Sequence, residues 1–349
     1  MISRRRFLEV AGAGASALAL AACTGTNDEE PNEPAEQPAE DQQPEQSEPV
    51  AVRTTALKGP TAMGLVRFMS EVDAGNLADN DYSFQIVASP DEVTPLIAKG
   101  ETDIAAVPAN LASVLYNKTE KGVRVIAINT LGVLYICELG DSVHSVADLK
   151  GKTIYASGKG STPEYGLAYV LEKNGLVVGT DVQIEWKSEH SECVQALATS
   201  EGDAVAMLPQ PFVTTAQTQN DKIRVALDLT EEWDAVQTGD EQSSMITGVA
   251  IVRSEFADAN PGAVDAFIAH YVESVDFVND NVSDAAELVG SYDIVPAAVA
   301  QRAIPECNIV CITGDEMKEK LSGYLDVLAE QNAEAVGGSV PGDDFYYGA

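Results

Sequence analysis

The sequence has 349 residues, with 21 Lys and Arg against 55 Asp and Glu, and a formal net charge of −34. That length suits two compact lobes or domains with an ample core. So acidic a chain lacks the basic face that unassisted binding to nucleic acid or to an anionic bilayer needs. Its His144, His190 and His270 are too scattered for a His-rich zinc site, and we expect no metal and no other cofactor.

The first residues predict an export signal. Three arginines at 4–6 and Phe7-Leu8 precede an apolar stretch from Val10 to Ala22, which is too short and too rich in Ala and Gly to span a membrane well. The S-R-R-x-F-L string at 3–8 resembles the twin-arginine (Tat) export signal, which carries folded cargo. We therefore expect residues 1–22 to be a Tat-type lipoprotein signal peptide.

The segment that follows predicts a lipid anchor and a tether. Leu20-Ala21-Ala22-Cys23 resembles a lipobox, in which Cys23 would be acylated, although a chance Cys in a simple secretory signal is the alternative. Residues 24–50 contain nine carboxylates, five prolines and no Lys or Arg, so they cannot bury enough surface to offset their ordering entropy. We expect residues 23–50 to be a lipidated Cys and a disordered tether about 30 Å long or longer, on the outer face of the cytoplasmic membrane.

Strand-like and helix-like patterns alternate twice after residue 50. The first round predicts strands at Val52–Leu57, Phe84–Ala88 and Ile104–Val107, with helices over 63–72, after a Ser89–Glu92 capping box, and over 109–116. The second round predicts strands at Thr153–Ala156, Val182–Trp186 and Ala204–Leu208, with helices ending near 174, 199 and 217. This rhythm indicates parallel sheets covered on both faces.

The two rounds match each other. Residues 92–108 and 192–209 share Glu, Ala, Glu, Asp and Ala at an offset of 100, which indicates two lobes built alike, although any α/β protein can produce such coincidences. Apolar runs in 124–138 and 243–252 predict two crossings between the lobes. We expect lobe 1 at 51–136 plus 246–349, lobe 2 at 137–245, and a helical tail over 261–332.

Four cysteines follow Cys23, at 137, 193, 307 and 311. An even number in an exported chain permits disulfides, and Cys307 with Cys311 is the first pair to consider. The alternative is that the cysteines are small buried hydrophobes, since Cys137 and Cys193 lie in apolar patterns.

The turns beyond the carboxyl ends of the strands are the candidate binding site, because ligands of open α/β sheets bind there against helix N-termini. These turns are 58–62, 89–90 and 108–110 in the first lobe and 157–162, 188–191 and 209–210 in the second. The two sets facing each other across a hinge would form a cleft for a small polar or anionic ligand. The candidate ligand-binding residues are Lys58, Gly59, Thr61, Ala62, Ser89, Asn110, Ser157, Lys159, Gly160, Ser161, Thr162, His190 and Gln210.

Each element of this site has a simpler interpretation. Gly158-x-Gly160 lacks the spacing of a dinucleotide or P-loop fingerprint. His190 lies between acidic neighbours and would suit a solvated loop, and residues 161–164 would suit a helix cap. The sequence also contains no H-E-x-x-H, G-x-S-x-G, kinase or Walker motif, so nothing in it requires catalysis.

Four segments carry a resemblance to a known family. Residues 57–64, 147–154, 158–164 and 208–212 (LKGPTAMG, ADLKGKTI, GKGSTPE and LPQPF) resemble the extracytoplasmic solute-binding proteins of ABC importers, in the nitrate/sulfonate/taurine group that is also similar to thiamine-precursor binders. The resemblance implies the type 2 periplasmic-binding fold, two α/β lobes joined by a two-strand hinge. It also implies a monomer that binds a sulfonate, nitrate or pyrimidine-like solute and delivers it to a permease and its ATPase.

Two other functions remain open on the sequence. One is an enzyme on the same scaffold, with His190 or a Cys acting on a small heterocycle. The other is a sensory lipoprotein that works without a transporter.

Overall fold

Two mixed β-sheets frame the protein in the computed structural model, which describes residues 49–237 and 243–349. The predicted signal peptide, Cys23 and the tether up to residue 48 lie outside the described residues. The strands are β1 Ala51–Leu57, β2 Asp81–Val87, β3 Ile104–Pro108, β4 Val123–Leu131, β5 Leu134–Leu139, β6 Thr153–Ala156, β7 Gln183–Trp186, β8 Ala204–Pro209, β9 Ile223–Asp228, β10 Ile246–Arg253 and β11 Ile309–Ile312.

Helices cover the faces of both sheets, and short 3-10 helices join some of the elements. The α-helices are α1 Pro60–Met63, α2 Val66–Asp73, α3 Pro90–Lys99, α4 Ala109–Lys118, α5 Thr162–Lys173, α6 His190–Ala198, α7 Phe212–Gln219, α8 Leu229–Ala235, α9 Ser254–Ala259, α10 Pro261–Asp280, α11 Val282–Ser291, α12 Ala297–Ala303 and α13 Gly314–Gln331. The 3-10 helices are Val146–Leu149, Ile304–Glu306, Ala333–Val336 and Asp343–Phe345.

Five strands have the same order in both sheets when the first is read from β2 and the second from β7, and the first sheet has β11 as a sixth strand. The first runs β11-β4-β10-β3-β1-β2 and the second runs β7-β6-β8-β5-β9. In each sheet three strands are parallel, whereas β10 with β4 and β5 with β9 run antiparallel to their neighbours. The sheets are therefore mixed rather than parallel throughout, because the strand that follows each crossing enters in the opposite direction. The predicted fold, two α/β lobes of one design, is confirmed.

The segments that match at an offset of 100 occupy equivalent places in the two lobes. Helices α3 and α6 each lead into a buried strand, β3 or β8, that pairs in parallel with β1 or β6 respectively. The carboxylates before these strands differ, however. Asp103 is 1 % exposed and bonds to Arg53 and Arg253, whereas Asp203 is exposed.

The chain crosses between the sheets at two places. It leaves β4 at Leu131 and enters the second sheet at Leu134, and it rejoins the first sheet at Ile246. Gly132 lies in the first crossing, where an added Cβ would come within 2.0 Å of Thr230 Oγ1. Close packing of the crossing against α8 therefore requires a glycine here.

One hydrophobic core extends through both lobes on the hinge side. It contains residues of both sheets together with α5, α8 and the tail helix α13. Within it the Trp233 ring lies 4.2 Å from Tyr169 and 5.5 Å from Tyr324, measured between centroids. Separate cores fill the outer faces of the first sheet and of the second sheet. The tail therefore packs against the hinge as well as the first lobe.

The tail differs from its prediction in one element. Residues 309–312 form strand β11, which pairs antiparallel with β4 at the edge of the first sheet. Because extended chain advances about 3.3 Å per residue, this strand carries Cys311 away from Cys307. All four cysteines of the described region are free thiols, so the Cys307–Cys311 disulfide is not formed. Cys307 instead packs in the core, with its Sγ 4.0 Å from Met63 Sδ.

Of the described helices, none combines the length and the apolar composition that crossing a bilayer needs.

Candidate functional site

A cavity of about 340 Å³ lies where the two sheets face each other. Its volume is within the range of small-molecule sites, about 300–1,000 Å³. All six turns predicted from the sequence contribute to its wall. The lining residues from these turns are Lys58, Pro60 and Thr61; Ser89 and Pro90; Pro108; Ser157, Gly158 and Ser161; Ser188, Glu189, His190 and Ser191; and Pro209 and Gln210.

The turns meet because strand direction places them there. The carboxyl ends of β1, β2 and β3 face the carboxyl ends of β6, β7 and β8, and a helix begins just after each of them. The predicted capping box at the start of α3 is confirmed, with the Ser89 hydroxyl accepting from Asp91 N and the Glu92 carboxylate accepting from Ser89 N. Glu189 and Glu192 form the equivalent box at α6.

His190 is held from two sides at the cavity wall. Its Nδ1 is hydrogen-bonded to Ser157 Oγ, and its ring lies 5.0 Å from the Phe212 ring. Burial lowers the pKa of His190 to about 4, because a charged imidazole loses its hydration there. His190 is therefore a neutral hydrogen-bonding group at pH 7 rather than a cation, and it is half-buried rather than on a solvated loop.

Several hydroxyl groups at the cavity are already used within their own turns. Thr61 Oγ1 donates to Leu57 O, and Ser161 Oγ donates to Gly158 O, both at 2.8 Å. The Gln210 side chain accepts through Oε1 from the backbone N–H and the hydroxyl of Thr214. These bonds fix the shapes of the turns and leave other groups to meet a ligand.

The charged groups at the cavity are few. Among the described lining residues, Lys58 and Glu189 carry the charges at neutral pH, and both are exposed. Lys159, the other predicted cation, is exposed but does not line the cavity. The formal charge of the lining side chains is therefore balanced.

Six predicted site residues lie outside the cavity wall: Gly59, Ala62, Asn110, Lys159, Gly160 and Thr162. Ala62 and Thr162 are buried in the first turns of α1 and α5. Asn110 is 1 % exposed and joins three segments, since its Nδ2 donates to Gly160 O and Ala335 O while its Oδ1 accepts from the Thr162 hydroxyl. Asn110 therefore binds one lobe to the other instead of facing the cavity.

Other lining residues were not predicted. Phe212 follows the predicted turn at 209–210, and Val133 in the first crossing is flanked by Thr130 at the end of β4 and Leu134 at the start of β5. Thr247 lies on β10 and Ile294 and Val295 belong to the tail. The prolines at 60, 90, 108, 163 and 209, each at or shortly before the start of a helix, also contribute apolar rings to the wall.

A second hollow of about 350 Å³ shares Gln210 with the first. It lies between the second lobe and the end of α12, with Asp228, Arg302 and Glu306 in its wall. This second hollow has a polar lining, and Gln210 is the only one of its described residues that comes from the predicted turns. The first cavity is therefore the candidate site. Within 49–237 and 243–349, no group of three or more His, Cys, Asp or Glu is arranged to hold a metal ion.

Comparison with known proteins gives the same fold and adds a family. The family model described as ABC transporter, phosphonate, periplasmic substrate-binding protein matches residues 79–256, just over half of the chain. No curated protein sequence matches the chain.

Solved structures of similar shape share little sequence with the chain. A crystal structure of an ABC transporter protein from Parabacteroides distasonis has a TM-score of 0.70 at 20% identity, covering 85% of this chain and 98% of that one. The periplasmic aliphatic sulphonate-binding protein SsuA from Escherichia coli has a TM-score of 0.64 at 17% identity, covering 80% of this chain and 87% of that one. The periplasmic nitrate-binding protein NrtA from Synechocystis PCC 6803 has a TM-score of 0.56 at 14% identity, covering 72% of this chain and 69% of that one. With the family match, the two-lobed fold and the cavity between the lobes, the chain belongs to the periplasmic substrate-binding proteins of ABC transporters.

Proposed function

We propose that this protein captures a small polar or anionic solute, of sulfonate, nitrate or pyrimidine-like type, in the cavity between its lobes. It then passes the solute to a membrane permease driven by a cytoplasmic ATPase. The observation that carries the proposal is the convergence of all six strand-to-helix turns, three from each lobe, on one cavity of about 340 Å³. A site built from two bodies holds its ligand most tightly when both contact it, so binding favours closure.

In this proposal the moving bodies are the lobes expected from the sequence, 51–136 with 246–349 and 137–245, with the first boundary moved back to Gly132 because β5 begins at Leu134. Their joint lies at the two crossings, around Gly132 and between α8 and β10. Lys58, Thr61, Ser89, Ser157, Ser161, His190 and Gln210 are the predicted residues that lie at the cavity and would contact the solute. The protein acts as a monomer and performs no chemistry on the solute.

Titration calorimetry of the purified chain against sulfonates, nitrate, phosphonates and pyrimidines tests the capture step. We expect at least one class to bind, with small-angle scattering showing a more compact particle in its presence. Absence of binding in every class would contradict the proposal, as would turnover of a bound ligand, which would favour the enzymatic alternative.

We also propose that the protein is exported by the Tat route and anchored by a lipid on Cys23. The sequence supports this through the arginines at 4–6 and the Leu20–Cys23 lipobox. Replacing Cys23 by Ser should release the protein from the membrane fraction, and replacing Arg4 and Arg5 by Lys should retain it in the cytoplasm. A Cys23 variant that stays in the membrane fraction would contradict the lipid anchor. An arginine variant that is still exported would contradict the Tat route.

A further inference from the structure

The helix N-termini around the cavity are largely occupied by the protein's own side chains. Glu92 accepts from Ala88 N and Ser89 N before α3, and Glu192 accepts from Ser188 N and Glu189 N before α6. The Glu164 carboxylate accepts from Gly160 N before α5. Each carboxylate offsets the positive end of its helix, which is equivalent to about half a charge. Three of the helix N-termini are thus already neutralised.

The α7 N-terminus is occupied in a similar way, because Gln210 Oε1 accepts from Thr214 N at 3.3 Å. This bond fixes the orientation of the Gln210 amide through Oε1. The Nε2 donor of the same amide is left for a ligand. A helix N-terminus binds an anion through unpaired N–H groups. The caps at α3, α5, α6 and α7 reduce that capacity, and the longer of the two helices at the cavity without a side-chain cap, α4, begins just after Pro108 in the cavity wall.

The groups left to bind a ligand are mostly neutral. Thr247 lines the cavity, and its Oγ1 is buried without a hydrogen-bond partner among residues 49–237 and 243–349. His190 is neutral at pH 7, and since its Nδ1 is bonded to Ser157, Nε2 is the ring nitrogen left for a ligand. Gln210 Nε2 completes the set. An unpartnered buried hydroxyl lowers stability when nothing bonds to it, and of the described residues with such a hydroxyl, Thr247 is the one that lines the cavity.

Serine and threonine residues make up part of the rest of the wall, and apolar side chains make up much of it, among them Leu57, Leu134, Phe212, Ile294 and Val295. Such a wall favours a ligand with an apolar body. An anion, whether singly charged like nitrate and sulfonates or doubly charged, would lose its hydration here with Lys58 as the one described lining cation, and Lys58 is exposed and accompanied by Glu189. Burying charge without paired cations is costly.

We infer that the solute of this cavity is uncharged and has an apolar body, with acceptors such as ring nitrogens or carbonyl oxygens that bond to Thr247, His190 and Gln210. This inference rests on the proposed function and narrows it: within the classes considered above, it favours uncharged heterocycles and amides over nitrate, sulfonates and phosphonates.

The test compares probes of different charge on the full chain. The uncharged probes are uracil, thymine, cytosine and nicotinamide, and the anionic probes are nitrate, benzenesulfonate and phenylphosphonate. By titration calorimetry we expect an uncharged probe to bind at least tenfold more tightly than any anion. We also expect less than a twofold change in its affinity between 20 and 300 mM NaCl, because screening acts on charges. Tightest binding by an anion, weakened by salt, would overturn the inference while leaving the proposed function intact. Absence of any binding would contradict both.

The Thr247→Val variant tests the assigned contact. Valine keeps the shape of threonine but lacks the hydroxyl, so the affinity for the best uncharged probe should fall about tenfold, the value of one hydrogen bond. The stability of the empty protein should stay equal or rise, because an unpartnered hydroxyl is removed. Thr199→Val, at the exposed end of α6, is the matched control. Unchanged affinity in Thr247→Val would overturn the assignment of Thr247, as would an equal loss in the control.

Discussion

At the scale of single residues, Asp103 shows what an acidic residue before a buried strand can do. Its carboxylate is buried and accepts from Arg53 Nε and Nη2 at 2.8 and 2.7 Å and from Arg253 Nη2 at 2.8 Å. These bonds join β1, β3 and β10 at the sheet edge away from the cavity.

Replacing Asp103 by Asn should lower the free energy of unfolding by about 3 kcal/mol, because it removes the charge that both arginines share. Asp203→Asn is a matched control at the equivalent place in the second lobe, and it should change the free energy of unfolding by less than about 0.5 kcal/mol. Urea unfolding of the three proteins measures both values. Equal effects of the two substitutions would contradict this role for Asp103.

His190 gives a pH-dependent prediction. Its pKa is about 4 in the folded protein and 6.5 in an ordinary imidazole, so the unfolded chain binds more protons between these pH values. Its contribution to stability is therefore present above pH 6.5 and is lost as the pH falls toward 4. The groups nearest to it are Ser157, Phe212 and its neighbour Glu189.

A His190→Gln variant lacks this titration. Between pH 7 and pH 4.5 the wild-type protein should lose about 2 kcal/mol more stability than the variant does. Urea unfolding at both pH values provides the measurement, with His144→Gln, an exposed position, as the control that should follow the wild type. Parallel pH profiles for wild type and His190→Gln would show that His190 is not buried neutral.

At the scale of elements, the capped helix starts and buried strands of both rounds were predictable from periodicity and from Pro and Ser at the turns. Whether a polar side chain at such a turn faces the cavity was not. Asn110 and Ser161 lie in similar patterns, yet Asn110 is turned toward Gly160 and Ala335. Its partner Ala335 is 225 residues away, and no local pattern reports a contact of that kind. Strand β11 was missed for a related reason, since its four residues form a strand only by pairing with β4.

Because Asn110 joins the first lobe to the second, its replacement should change stability and hydrogen exchange. Asn110→Ala leaves the carbonyls of Gly160 and Ala335 without their donor, so stability should fall by about 2 kcal/mol. Amide hydrogen exchange in the turn at 157–161 should become faster, because that turn loses its attachment to the other lobe. Asn76→Ala, on the exposed surface, should change neither. Unaltered exchange in the turn would show that Asn110 does not join the lobes.

At the scale of the whole molecule, the two lobes meet in two ways: through the shared core on the hinge side and through the facing turns that line the cavity. The core, with Tyr169, Trp233 and Tyr324 at its centre, keeps the lobes together where the chain crosses between them. The cavity lies where the turns meet, and the tail closes part of its wall through Ile294 and Val295. Residues distant in sequence thus share one site because two similar lobes are placed face to face.

A crystal structure of the chain with its tightest-binding solute tests this account most directly. We expect the solute between the lobes, in contact with Gln210 and His190 from the second lobe and with Thr61 or Thr247 from the first. A solute bound on an outer face, or in contact with one lobe alone, would contradict the account.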